Sequence, residues 1–339
     1  MRTEIITVNP DNVNPVYIKT AAEKIKDGGL VAFPTETVYG LGADAFNPKA
    51  VAKIFEVKKR PLEDPLIVHI AQKEDLYKLA EDISDMVLRL ADEFWPGPLT
   101  LVLKKSKNIP DIITAGLDTV AIRVPADKVA LAFIKFSETP IAAPSANLFG
   151  RPSPTTAQHV LDDLNEKIDI VIDGGRALIG VESTILDLTQ NPPVVLRPGG
   201  VSMEKLKKVV KGVEIYKQDK ILSPGMYSRH YSPKAKVMLV EGNGKIQVEK
   251  VKNLASRLNS QGCSLGILVK EENKDKYDGF NVKPLGPGDD LTICAANLFS
   301  VLRNFDKEGV DIVIAESVKE EGLGLAIMDR LRKAAGSKK

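Results

Sequence analysis

Cysteine is scarce in this chain. Two occur in 339 residues, Cys263 and Cys294, both late and in no CxxC pattern. That spacing excludes a disulfide scaffold and a cysteine zinc site, and it suits a reducing cytosol, where the chain is expected to reside. Net charge is scarce too. Lysine and arginine number 47 against 45 acidic residues, a formal +2, so no global field points to nucleic acid or membrane. A basic site has to be local. No apolar run approaches the roughly 18 residues that a membrane helix needs. No secretory signal is expected, since Met1 to Pro10 is short and mixed. Several catalytic signatures are missing. There is no GxxxxGK[ST] phosphate loop, no HExxH, no Ser-His-Asp pattern and no GxGxxG; the GLG at Gly40 to Gly42 is no substitute for the last.

What is present is a series of polar clusters, each just after a short apolar run. Leu30 to Phe33 reads as a buried strand, and FPTETVYGLG (Phe33 to Gly42) follows it. Hydroxyls, a carboxylate and two glycines in so short a stretch predict a loop that brings backbone close to a ligand. Val16 to Lys26 and Pro48 to Lys59 have helical spacing, and the second ends in Lys53, Lys58, Lys59 and Arg60. Cations at a helix C-terminus complement its dipole and need no further reason. Yet Pro61 stops the helix beside Arg60 and leads into the strand Leu66 to Ile70, which carries His69 near its far end.

Helices are expected over Lys73 to Ala80 and Ile83 to Glu93, and strands over Leu99 to Leu103 and Thr119 to Val124. Arg123 sits inside the last of these apolar runs. A guanidinium there is costly unless paired, and the alternatives are capture of a carboxylate ligand or an internal salt bridge. Ile141 to Ala143 runs into Pro144-Ser145-Ala146-Asn147, and Thr155 or Thr156 caps a helix through Leu164. Asp169 to Asp173, Glu182 to Leu188 and Val194 to Arg197 complete the strands, the middle one alternating as if buried on one face; a helix over Met203 to Val210 follows. The inventory is four cations (Lys58, Arg60, Arg123, Arg197) and six neutral polar groups (Thr35, Thr37, Ser145, Asn147, Ser153, Ser183). It suits a polyanion beside a small polar molecule.

Beyond Lys236 the alternation restarts. Strands are expected at Val237–Val240, Gly266–Val269 and Asp311–Ala315, and helices at Val248–Leu258, Leu291–Phe305 and Leu325–Ala334. The two cysteines there read as small buried hydrophobes. The fold class is therefore α/β, with a larger and a smaller unit.

PTETVYGLG, the Lys58-x-Arg60 pair with PLIVHI, FWPGPLTLVL, the Arg123 strand, PSAN, ESTILDL and LRPGG together resemble the threonylcarbamoyl-AMP synthases, the YrdC/Sua5 family. SPGMYSRHYSP (Ser223 to Pro233) and EGLGLAIMDRLRKAA resemble the linker and the last helix of its two-domain branch. The resemblance implies an N-terminal YrdC-like domain (1–215) with a twisted, open mixed sheet and helices. It also implies a linker or lid (216–235) and a smaller Rossmann-like C-terminal α/β domain (236–339). It implies conversion of L-threonine, bicarbonate or CO2, and ATP to threonylcarbamoyl-AMP and pyrophosphate. The product would pass to the complex that modifies adenosine 37 of tRNA; contact with tRNA itself is allowed but not required. Read onto this chain, Lys58, Arg60, Ser145 and Asn147 hold phosphates and form the catalytic set. Arg123 takes the threonine carboxylate. Thr37, His69, Ser183 and the Ala143 backbone shape the amino-acid pocket. Asp64, Thr119, Ser153 and Arg197 touch nucleotide, with Arg229, His230 and Tyr231 of the linker laid over it. Mg²⁺ rides on the phosphates rather than in a protein cage. Two positions depart from the pattern, Asp64 and Asp329, where the family has asparagine. A carboxylate at 64 would need a metal or a cation beside it.

Two other functions compete with this one. A basic concavity could hold RNA, but +2 and the lack of interleaved aromatics argue against it. Carbamoyl-phosphate-dependent transfer, as in hydrogenase-maturation proteins with a related domain, would bring cysteine-rich zinc motifs that two cysteines cannot supply.

Overall fold

The computed structural model describes residues 2–216 and 222–336. The chain forms two compact units. The first comprises Met1–Phe149, Ser153–Leu178 and Glu182–Met226; the second comprises Gly150–Pro152, Ile179–Val181 and Tyr227–Lys339. Part of the expected linker, residues 217–221, lies outside the described residues.

In the first unit the strands are β1 (Glu4–Thr7), β2 (Val31–Phe33), β3 (Gly40–Asp44), β4 (Ile67–His69), β5 (Leu99–Lys104), β6 (Thr119–Arg123), β7 (Ile141–Ala142), β8 (Ile170–Asp173), β9 (Thr184–Asp187), β10 (Val194–Arg197) and β11 (Glu214–Ile215). They make one sheet in the order β1-β8-β2-β3-β7-β4-β6-β5-β9-β10-β11. Parallel pairs such as β4 with β6 alternate with antiparallel ones such as β4 with β7, so the sheet is open and mixed as expected. The helices are α1 (Pro15–Lys26), α2 (Pro48–Lys58), α3 (Leu76–Leu79), α4 (Asp85–Phe94), α5 (Asp111–Thr114), α6 (Lys128–Ser137), α7 (Ala157–Leu164) and α8 (Met203–Val209).

Helix limits follow local chemistry. Asn14 and Asn47 cap α1 and α2 with proline at the first helical position, and Thr156, not Thr155, caps α7. Side chains alternate across each strand, so Val68, Ile122, Ala142 and Leu186 bury on one face against α2, α4 and α7. Ile67, Ala121, Ile185 and Leu196 bury on the other.

Several expectations need correction. Gly40 and Gly42 close no turn. They lie in β3, paired antiparallel to β2, so the functional loop is the hairpin connection Pro34 to Tyr39. Gly42 is needed for packing, because a Cβ there would stand 2.7 Å from Ile141 Cγ2 and 3.1 Å from the Phe33 ring. Strand β9 is buried at all four residues rather than on one face, because it runs inside the sheet between β5 and β10. Lys73 to Ala80 is a 3₁₀ turn, Lys73–Asp75, followed by the single turn α3. β1 and α6 escaped sequence reading. The first is an edge strand with one buried residue, and the second is too evenly apolar to show a face.

The second unit holds β12 (Lys236–Val240), α9 (Gly244–Ser260), β13 (Leu265–Lys270), β14 (Asn281–Gly286), α10 (Leu291–Lys307), β15 (Ile312–Glu316) and α11 (Gly324–Ala335). Its sheet is wholly parallel, order β12-β15-β13-β14. Strand β14 was not anticipated, since Pro284 argues against a strand; as an edge strand it tolerates the missing donor. Cys294 is buried, its thiol pushed up to about 11 by burial, and Cys263 is half-buried; neither forms a disulfide. Asp329, the second departure from the family pattern, pairs with Arg330 (2.8 Å) and Lys333 (2.9 Å). Among the described residues no helix is long and apolar enough to cross a membrane.

Candidate functional site

Strand alternation lines up the site. On β6, Thr119, Ala121 and Arg123 share a face, and on β4, in parallel register, Ile67 and His69 stand beside Ala121 and Arg123. On β7, Ala142 pairs with Val68, so Ala143 just beyond it returns to the face of Ile67. Thr119 to Arg123 spans about 13 Å at about 3.3 Å per residue. The result is a polar track with an apolar floor of Ile67, Ala121 and Ile185. Tyr216, Leu222 and Met226, from the start of the expected linker, pack against that floor.

At one end stands Arg123, buried, with its guanidinium held from three directions. Its Nε donates to Gly97 O (3.1 Å), one terminal nitrogen donates to Thr37 Oγ1 (3.0 Å), and the other lies 2.7 Å from Glu36 Oε1. The internal salt bridge therefore exists, and its partner Glu36 was not among the predicted site residues. Thr37 is fixed by Thr35, whose Oγ1 contacts Thr37 Oγ1 (2.8 Å) and donates to Val38 O (2.6 Å). His69 is buried edge-on against the Phe33 ring. Burial, then the neighbouring Arg123, lowers its pKa to about 3, so the ring is neutral at physiological pH. Ala143 spends its N–H on Ile67 O (2.9 Å), and its methyl is buried in the core cluster that includes Phe33 and Ile141.

Lys58 and Arg60 are buried, while Lys53 and Lys59 on the same helix end are exposed. Lys59 adopts a left-handed conformation that ends α2 and turns Arg60 inward. The Lys58 ammonium donates to Ser145 O (2.6 Å) and to Asn147 O, tying it to the PSAN loop. That loop is bound in turn to the hairpin. Ala146 N donates to Tyr39 O, and Leu41 N to Pro144 O, both at 2.8 Å. Arg60 donates to Asp64 O (3.1 Å) and Pro65 O (2.8 Å) and pairs with Asp64 Oδ2 at 2.8 Å. Asp64 thus has the cation its position demanded.

Burial raises the Asp64 pKa even so, with Arg60, Lys58 and Arg197 pulling the other way. The folded protein then holds that proton more tightly than the unfolded chain does, where the carboxyl titrates near 3.9. Its contribution to stability is greatest at acid pH and is lost as pH rises through the folded pKa. We expect Asp64→Asn to flatten the fall in stability above pH 4, measured as denaturant midpoints from pH 4 to 7. An unchanged profile would contradict the assignment.

Arg197 follows a register shift in β10 that aims it across β9. It donates to Ser183 O (2.9 Å) and Ser183 Oγ (3.1 Å), and to Pro224 O (3.3 Å). Ser183 Oγ also meets Thr100 Oγ1 at 2.7 Å. The turn is close enough that a Cβ on Gly199 would lie 2.3 Å from Glu182 O. Ser153 Oγ donates to Glu182 Oε1 (2.5 Å), a second carboxylate the sequence reading did not single out. Thr119 is half-buried at the opposite end of β6 from Arg123, on the side where Pro65 enters β4.

Arg229, His230 and Tyr231 belong to the second unit. Arg229 is exposed. His230 N donates to Lys333 O (3.3 Å), and Tyr231 is buried, stacked 5.5 Å from Phe299 with Arg330 5.1 Å over its ring.

The first unit is thus an open mixed α/β sheet that carries buried cations, hydroxyls and a neutral histidine, side chains suited to an anionic ligand. A family model described as "Telomere recombination" (Sua5, yciO, yrdC) matches residues 23–199, and one described as "Threonylcarbamoyl-AMP synthase, C-terminal domain" matches 201–336. Threonylcarbamoyl-AMP synthase of Pyrococcus abyssi is 49% identical over 340 residues, 98% of each chain. That of Bacillus subtilis is 45% identical over 333 residues, 96% of this chain and 95% of its own. The crystal structure of P. abyssi Sua5 complexed with L-threonine superposes with a TM-score of 0.94 at 49% identity, covering 98% of each chain. The chain belongs to the YrdC/Sua5 family of threonylcarbamoyl-AMP synthases, in its two-domain form.

Proposed function

We propose that this chain converts L-threonine, bicarbonate or CO2, and ATP into threonylcarbamoyl-AMP and pyrophosphate, as an ATP-using nucleotidyltransferase of tRNA modification. The observation that carries the reading is the single-faced track from Thr119 to Arg123. Arg123 and His69 mark one end of it and Thr119 the other, and Lys58 is tied to the loop that carries Ser145 and Asn147. In this reading Arg123 takes the threonine carboxylate. Thr37, His69, Ser183 and Ala143 wall the side chain and amine. Lys58, Arg60, Ser145 and Asn147 meet the phosphates. Thr119, Ser153 and Arg197 serve the nucleoside half, and Arg229, His230 and Tyr231 keep their nucleotide role by family resemblance alone.

The chemistry asks little of the protein beyond alignment. The threonine amine, in its neutral form, adds to CO2 and loses a proton to solvent, giving a carbamate. A carbamate oxygen then attacks the α-phosphorus, and pyrophosphate leaves. Neither step requires an enzyme nucleophile. The protein's work is to juxtapose two anions and to spread the charge that develops on phosphate. A neutral His69 suits a wall beside an amine that must stay unhindered by a like charge. Mg²⁺ belongs in this reading on the triphosphate, where it shields charge. The carboxylates beside the cations, Asp64 and Glu182, are engaged by Arg60 and Ser153, which fits a metal carried by the nucleotide. The product would go on to the tRNA threonylcarbamoyl transferase complex, with the cytosol as the compartment.

The test is pyrophosphate release with ATP and bicarbonate, with and without L-threonine. We expect release that depends on threonine and that excess EDTA abolishes. Threonine-independent hydrolysis, or none, would reject the reading.

A further inference from the structure

Glu36 and Arg123 touch, yet neither satisfies the other. The 2.7 Å contact brings Oε1 to a guanidinium nitrogen, but neither Glu36 oxygen receives an aligned hydrogen bond, and that nitrogen donates to no aligned acceptor among the described residues. His69 Nδ1, one strand position away, is also without a partner. All three residues are more than nine-tenths buried. A buried polar atom left unpaired costs about 1–3 kcal/mol, and more if charged. The cluster therefore calls for a ligand that presents hydrogen-bond acceptors to a guanidinium and donors to a carboxylate within a few ångströms.

An α-amino acid zwitterion has that pattern. Its carboxylate fits the unused N–H groups of Arg123. Its ammonium fits the two oxygens of Glu36. The buried pair is neutral and so is the zwitterion, so binding adds no net charge to the site. A phosphate or dicarboxylate would meet Glu36 as a like charge, and a hydroxy acid would leave one of its oxygens without a donor. Asp127, the other carboxylate near this pair, is already engaged as the cap of α6, accepting from Ala130 N at 2.8 Å. We propose that Glu36 receives the α-ammonium of the amino acid whose carboxylate lies on Arg123, and so selects amino acids over their hydroxy-acid analogues. The assignment rests on the amino-acid reading of the site.

Calorimetric titration of the full chain without ATP decides it, using L-threonine and 2,3-dihydroxybutanoate, which carries a hydroxyl in place of the amine. Wild type should prefer threonine. Glu36→Gln should weaken threonine by about 30-fold, the value of a charge-assisted hydrogen bond, and leave the analogue within about threefold. Retained ATP affinity would show that the variant is folded. If Glu36 merely positions Arg123, both ligands weaken together, and that result overturns the proposal, as does unchanged threonine affinity. Should the Gln variant fail to fold, Glu36→Asp settles the matter: selective loss of threonine supports the proposal, and equal losses overturn it. If wild type binds neither ligand, the amino-acid reading itself has failed and the Glu36 assignment falls with it, an outcome distinct from the others.

Discussion

Arg123→Ala is expected to lower kcat/KM for L-threonine by about 10³-fold while the KM for ATP stays within about threefold. The guanidinium is the cation for the substrate carboxylate, and truncating one side of a buried charge pair costs about 2–5 kcal/mol. Here the loss is compounded, because Glu36, 7% exposed, would be left as a buried carboxylate with no counter-charge. A lower melting temperature should accompany the kinetic loss. Arg123→Lys should recover only part of the activity. An ammonium cannot reach Gly97 O, Thr37 Oγ1 and both carboxylate oxygens at once, which the planar fork does. Threonine-dependent pyrophosphate release measures both variants. A threonine KM that does not move in Arg123→Ala would remove the amino acid from this end of the track.

Much of this site is legible in the chain because its residues follow strands that announce themselves. Leu30 to Phe33, Leu66 to Ile70 and Thr119 to Val124 are short apolar runs, and strand ends are where an α/β sheet places polar loops. The partners of those residues were hidden. Glu36 and Arg123 meet only because β2 and β6 enter the same sheet, and no local spacing encodes that meeting. Ser153 with Glu182 and Ser183 with Thr100 are the same kind of contact. Asp64 was the exception. Its charge demanded a cation, and the cation lay four residues earlier in sequence, at Arg60. Strand β3 was misread for another reason. Two glycines in five residues look like a turn, but they were placed there by the ring of Phe33 and the methyl of Ile141.

On the phosphate side of this reading, Lys58→Met should cut kcat/KM for ATP at least about 10²-fold and leave threonine binding within about threefold. Methionine preserves the buried stem and deletes the charge, so the effect isolates the ammonium. That ammonium has two tasks. It brings positive charge to the place where phosphate gathers negative charge in the transition state. It also clamps the carbonyls of Ser145 and Asn147, and without it the PSAN loop loses the donor that joins it to α2. Each hydrogen bond from a charged donor contributes about 1.5–3 kcal/mol, so losing both loosens the loop as well as the nucleotide. The two variants should therefore divide the site: Arg123→Ala strikes threonine and spares ATP, Lys58→Met the reverse. Equal damage to both substrates by either variant would mean that the track is one coupled pocket, not two adjoining subsites, and the assignment of ends would have to be redrawn.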